Sequence, residues 1–211
     1  DLSNFNTSNV TNMYKMFDHA RSFNQPLNQW DVFNVKDMSF MFHASNFNQP
    51  IDNWNVSNVT NMRFMFALSP FNQPINNWDV SNVKNMTFMF SDSGFNQPIN
   101  NWNVSNVKDM SFMFEFAKAF NQPIGNWNVS RVEDMRGMFG SAKVFNQPLG
   151  NWNVSNVKDM SFMFSDSGFN QPIDHWDISG VCCMKEMFNG ANEFSYYPEN
   201  WVVPRKDVNN M

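Results

Sequence analysis

The stretch Phe71-Asn72-Gln73-Pro74-Ile75-Asn76-Asn77-Trp78-Asp79-Val80-Ser81-Asn82-Val83-Lys84-Asn85-Met86-Thr87-Phe88-Met89-Phe90 decides the fold, because it returns along the whole chain. Its tryptophan recurs as Trp30, Trp54, Trp102, Trp127, Trp152, Trp176 and Trp201. Its FNQP opening begins also at Phe23, Phe47, Phe95, Phe120, Phe145 and Phe169, with a degenerate copy at Phe194. A Met-Phe pair ends each copy, at Phe17, Phe42, Phe66, Phe90, Phe114, Phe139, Phe164 and Phe188, and every methionine except Met211 falls on one of two repeat positions. The period is 24 or 25 residues. A tandem period of this size marks an array in which each unit buries its apolar face against its neighbours.

The variation in length separates ladder from connection. The spacing from the FNQP phenylalanine through the tryptophan to the Met-Phe pair is constant. The extra residue always falls after that pair, as in residues 18–22 compared with 43–46. Stacked positions must stay in register, whereas a surface connection absorbs an insertion at small entropic cost.

Within a unit, Val59, Met62, Met65 and Phe66 follow the stripe of a short helix. Asn58 stands where an N-cap belongs, and an early aspartate follows at Asn34/Asp37, Asn106/Asp109 and Asn156/Asp159. Upstream, Trp54-Asn55-Val56 alternates as a very short strand does, and the proline of FNQP favours an arch. The expected fold is therefore an α/β repeat solenoid, a right-handed stack of about eight units, each a short parallel strand plus a short helix. One solenoid domain covers residues 1–203 with an incomplete first unit, and residues 204–211, opening on Pro204-Arg205-Lys206, read as an exit or capping segment.

Composition narrows the function. A chain of 211 residues with 42% hydrophobic residues can build a core, yet its mean hydropathy is −0.48 and charged residues are only 16%, so the polarity comes mainly from amides and hydroxyls. A net charge of −5 without a basic cluster argues against a nucleic-acid surface. No apolar run approaches the roughly 18 residues of a membrane span. The opening Asp1-Leu2-Ser3-Asn4 has no basic or apolar leader character and no initiator methionine, which reads as a mature form or an excerpt.

The units FNQPIDNWNVSNVTNMRFMF and FNQPINNWDVSNVKNMTFMF closely resemble the BspA-like leucine-rich-repeat surface proteins, in particular the subgroup catalogued as a mycoplasma domain of unknown function. The resemblance covers residues 1 to about 203. It implies a right-handed leucine-rich-repeat-like solenoid displayed at a cell surface or outside the cell, adhesion to a protein, matrix or host-surface ligand or to neighbouring subunits, and no catalytic motif or cofactor. Against ordinary leucine-rich repeats, tryptophan, methionine and phenylalanine stand here where leucine is expected.

Four columns invite a functional reading. The tryptophans offer platforms for sugars, but their regularity points to core, as helical spacing does for the methionines. Between the two methionines of each unit an aromatic row is expected at Tyr14, Phe40, Phe64, Phe88, Phe112 and Phe162, interrupted by Gly137 and ended by Glu186. In a regular helix this row lies off the core stripe, so it is either a partner-binding face or a seal between successive helices. The residue after tryptophan forms a polar face, Asp31, Asn55, Asp79, Asn103, Asn128, Asn153 and Asp177, in which no two aspartates adjoin. Stacked amides explain that pattern, and calcium lacks the clustered carboxylates it needs.

Nothing suggests an enzyme, a cofactor or a metal centre. His19, His43 and His175 occupy different repeat positions, and Asp52, Asp174 and Glu199 read as solvated carboxylates. Cys182 and Cys183 stand side by side where other units have Lys-Asp or Thr-Asn, reading as two thiols or an interchain bridge. Sequons such as Asn55-Val56-Ser57 recur only because the repeat contains them. The expected function is adhesion or partner binding by a non-enzymatic repeat protein. The alternatives are a structural spacer or lattice component and, more remotely, an ice-binding face.

Overall fold

The computed structural model describes residues 2, 4–196, 198 and 201. The units stack in register, but they are built from turns. Among the described residues there is no α-helix, and parallel pairing is confined to isolated bridges that run Asn12, Asp37, Asn61, Asn85, Asp109, Asp134, Asp159 and Cys183. The expected α/β solenoid of strand-plus-helix units is thus corrected. The expected exit segment at 204–211 and the carboxylate of Glu199 lie outside the described residues.

The reason lies in where the backbone amides go. In a helix, the Phe64 N–H would bond within its own unit. Instead the N–H groups of Met62, Phe64, Phe66 and Leu68 donate to the carbonyls of Asn85, Thr87, Met89 and Ser91, one unit on, at 2.8–3.0 Å. The intervening Met65 N–H turns back to Met62 O at 3.1 Å, and the Ala67 N–H to Phe64 O at 3.3 Å. Alternate amides therefore bind the next unit while the others close tight turns. The turn from Met62 to Met65 places φ of +55° at Phe64, its third residue, as a type II turn requires. Leu68, with φ of +55°, repeats the device four residues later.

Both positions recur down the stack with φ > 0: Lys15, Phe40, Phe88, Phe112, Gly137, Phe162 and Glu186 in one column, and His19, Ala44, Asp92, Phe116, Ser141, Asp166 and Gly190 in the other. A side chain in this region costs on the order of 1–2 kcal/mol. Such strain persists where surrounding structure over-determines the backbone, here through hydrogen bonds from neighbouring units.

The residues expected to cap helices have other partners. The Asn58 and Asn82 side-chain amides donate to the carbonyls of Phe33 and Ser57 in the preceding unit, both at 2.8 Å. Asp37 Oδ1 accepts the Ser39 N–H at 2.8 Å, closing a turn. The strand expected at Trp54-Asn55-Val56 carries no bridge; pairing falls at Asn61 instead.

The core consists of columns. Val59, Met62, Met65, Phe66 and their equivalents in the central units are fully buried. Each FNQP phenylalanine stacks on the closing phenylalanine of the preceding copy: Phe66 and Phe71 have ring centroids 4.0 Å apart, and Phe114 and Phe120 3.9 Å apart, although the second pair is separated by the longer connection. The extra residue is therefore looped out without disturbing the stack. Tryptophans lie parallel at 6.3–6.5 Å. From Trp30 to Trp176, the indole N–H donates to a carbonyl one unit back, as Trp78 does to Ile51 O at 3.1 Å, whereas the Trp201 indole N–H has no such partner. Burial of each such side chain is worth roughly 1.5–3 kcal/mol, and the bond to the neighbouring unit keeps the indole donors from Trp30 to Trp176 paired.

Candidate functional site

The aromatic row runs along the surface of this stack. Phe40, Phe64, Phe88, Phe112 and Phe162 are all half-buried, in contrast to the buried rings beneath them. Successive centroids from Phe40 to Phe112 lie 4.5, 4.4 and 4.6 Å apart with planes within 15° of parallel. The row is thus neither a free surface nor core: faces cover one another, and edges meet solvent. Tyr14 does not belong to it. The register of Asn12 with Asp37 aligns Tyr14 with Ser39 and Lys15 with Phe40, so Lys15 occupies the row's position in the first unit. Tyr14 meets the Phe40 ring edge-on at 5.9 Å.

Cations flank the row. Lys15 lies 5.3 Å from the Phe40 centroid, Arg63 5.1 Å from Phe64, Arg136 6.0 Å from Phe112 and Lys185 5.8 Å from Phe162. Leu68 and Phe116, in the neighbouring positive-φ column, are exposed and broaden the apolar strip.

Gly137 interrupts the row and opens a cleft of about 310 Å³ between Phe112 and Phe162, with Phe116, Glu115 and Gly140 on its walls. A Cβ on Gly137 would lie 2.4 Å from the Phe112 ring, so Phe112 leans over the missing rung. Burial pushes the Glu115 carboxyl above the usual carboxylate range.

The polar face after tryptophan has a local purpose. Asn55, Asp79, Asn103, Asn128, Asn153 and Asp177 each accept, through Oδ1, the N–H of the residue two positions on, and Asp31 does the same for Phe33. Aspartate and asparagine share this acceptor, so the column is not a ladder of stacked amides. The side-chain hydrogen bond and then the backbone bond from Ser179 hold the Asp177 carboxyl below its ordinary value. The amide ladder lies instead at the asparagine of FNQP. There the N–H groups of Asn72, Asn96, Asn121 and Asn146 donate to Oδ1 of the asparagine one unit back at 2.9–3.0 Å. Invariance of FNQP along the repeat carried that signal in the sequence.

Two histidines expected to be unrelated come together. Stacking aligns His43 with Asp18, and Nδ1 of both His19 and His43 lies 2.7 Å from Asp18 Oδ1. Burial pushes the Asp18 carboxyl up, but the bonds to His43 and His19 outweigh it and hold the group below its ordinary range. His175 stays exposed elsewhere, as do Asp52 and Asp174. Cys182 and Cys183 have Sγ atoms 3.5 Å apart, and Cys183 takes the bridge position opposite Asp159.

No curated protein and no solved structure matches the chain. The turn-built units do not support the leucine-rich-repeat part of the resemblance. A family model described as a Mycoplasma protein of unknown function, DUF285, matches residues 1–70, 43–142 and 122–211. With these three overlapping matches running the length of the chain, the chain belongs to that family.

Proposed function

We propose that the chain is a non-enzymatic binding module whose contact surface is the aromatic row from Phe40 to Phe162. The observation that carries this reading is a stack of half-buried rings lying outside a core already complete without them. Exposed contiguous apolar strips on soluble proteins mark interaction sites. Flanking arginines and a concave break at Gly137 are features that favour protein partners at such sites. The partner is a protein or matrix component at a cell surface, in keeping with the resemblance to surface-displayed repeats.

Capture of extracellular-matrix and host-surface proteins by the immobilised chain tests this reading. A variant carrying Phe64→Ser, Phe88→Ser and Phe112→Ser loses capture while a variant changed only at the polar face, Asp79→Asn, retains it. Equal capture by both variants contradicts the reading. A second reading, a spacer or lattice component, is favoured by the uniform register of the stack. It requires the isolated chain to form regular assemblies, which light scattering detects.

A further inference from the structure

The cluster of Asp18, His19 and His43 stands apart from everything the repeat requires. In the other units, the column through Asp18 and His43 carries residues such as Ala67 and Ser91, and the column through His19 carries Ala44, Leu68 and Asp92. The stack forms equally well around these residues, so the three ligand-type side chains are an addition to the fold. Their ligand atoms lie within 4.8 Å of one another, and both imidazoles direct Nδ1 at the same carboxylate oxygen at 2.7 Å.

We propose that Asp18 Oδ1, His19 Nδ1 and His43 Nδ1 form a binding site for one zinc-like divalent transition-metal ion. Two imidazoles and one carboxylate are the donor set that suits zinc, whereas calcium and magnesium require oxygen ligands. To bond Oδ1, each Nδ1 must carry its hydrogen; on metal binding a neutral ring shifts that hydrogen to Nε2 through solvent, an imidazolium releases its Nδ1 proton to solvent, and one cation satisfies the same three atoms. Metal–ligand bonds of about 2.0–2.2 Å require the nitrogens to move slightly outward from Oδ1.

The surroundings fit that movement. His43 is held edge-on to Phe40 at 5.4 Å and to Phe64 at 5.8 Å, with its side chain 15% exposed, so its ring is already oriented. Asp18 is similarly enclosed at 17%, while the His19 side chain is 58% exposed and free to adjust. The open side at His19 supplies an entry path and a fourth position for water or a partner's side chain. Lys15 faces the other carboxylate oxygen, Oδ2, at 3.8 Å; it weakens the site by like charge but leaves Oδ1 to the ion. Because Asp18 and His19 belong to one unit and His43 to the next, the ion staples two units together beside the first ring of the aromatic row.

Calorimetric titration of the full chain with Zn²⁺ tests the site, with Mg²⁺ and Ca²⁺ as controls and the chain first stripped with EDTA. The expected result is one equivalent of Zn²⁺ bound, a melting temperature raised by Zn²⁺, and no response to the other two ions. His43→Ala and Asp18→Asn each weaken binding about tenfold or more, while the double change Cys182→Ser/Cys183→Ser and the single change His175→Ala leave it unchanged. Melting of each variant in EDTA shows that its fold is retained. Absence of Zn²⁺ binding overturns the proposal, as does binding that survives His43→Ala and Asp18→Asn.

Discussion

Two columns of phenylalanine run the length of the same stack and obey different rules. The inner one, from Phe42 to Phe188, is unbroken, with neighbouring centroids 5.7–5.8 Å apart and rings shielded from solvent. The outer one packs at 4.4–4.6 Å from Phe40 to Phe112, then gives way to Gly137 and finally to Glu186. A column that tolerates glycine and glutamate is not what holds the units together. The close stacking of its remaining rings is therefore available for another purpose, and its edges are where a partner reaches the molecule.

The difference can be broken most forcefully from the inside. Phe114→Ala removes a ring stacked on Phe90, Phe120 and Phe139, and is expected to cost about 3–5 kcal/mol in chemical denaturation. Trp102→Ala falls in the same range, since it also removes the indole bond to Ile75 O at 3.0 Å and leaves that carbonyl with the Trp78 N–H alone. On the outer column, Phe88→Ser loses two face-stacked neighbours but little buried volume, and is expected to cost about 1–2 kcal/mol. Losses of equal size in the inner and outer columns would erase the distinction between them.

Gly137→Phe sharpens the comparison from the other side. Its backbone already has φ of +55°, within the +55° to +61° range at which the row holds phenylalanine. The new ring needs Phe112 to move off the space it leans into and stack as it does on Phe88. A stability change within about 1 kcal/mol is expected, together with loss of the cleft and of any binding that depends on it. Unfolding of this variant would mean that the glycine is a structural requirement rather than an open rung.

The smallest effect belongs to the polar face. Asp79→Asn keeps the Oδ1 acceptor for the Ser81 N–H at 3.0 Å, so a change within about 0.5 kcal/mol is expected. Asp79→Ala, which removes that acceptor, should cost more, and a thermal melt of the pair separates acceptor geometry from charge.

The columns were legible in the sequence because Trp, Val, Met and Phe repeat at fixed spacing, and burial follows that spacing directly. The backbone was not. Val59, Met62, Met65 and Phe66 sit at helical intervals, yet successive tight turns also bring residues three apart to one side. What separates the two is the positive φ at Phe64 and Leu68, which side chains of this kind rarely adopt. Its trace in the sequence was a glycine in each of those columns, Gly137 and Gly190, where a helix would disfavour one. The pairing of His19 with His43 was hidden for a related reason. Asp18 and His43 each follow a Met-Phe pair and share one repeat position, while His19 stands one residue further on, so only the stacking of neighbouring units brings both imidazoles to one carboxylate.

The central claim is that alternate amides of each unit are spent on the next unit rather than on a helix. NMR correlations transmitted through hydrogen bonds test it bond by bond in an isotope-labelled chain. Cross-peaks are expected from the Phe64 nitrogen to the Thr87 carbonyl carbon and from the Phe66 nitrogen to that of Met89, the donors and acceptors found at 2.9 and 3.0 Å. Cross-peaks from Phe64 to Thr60 and from Phe66 to Met62, four residues back within the same unit, would show a helix and contradict the account.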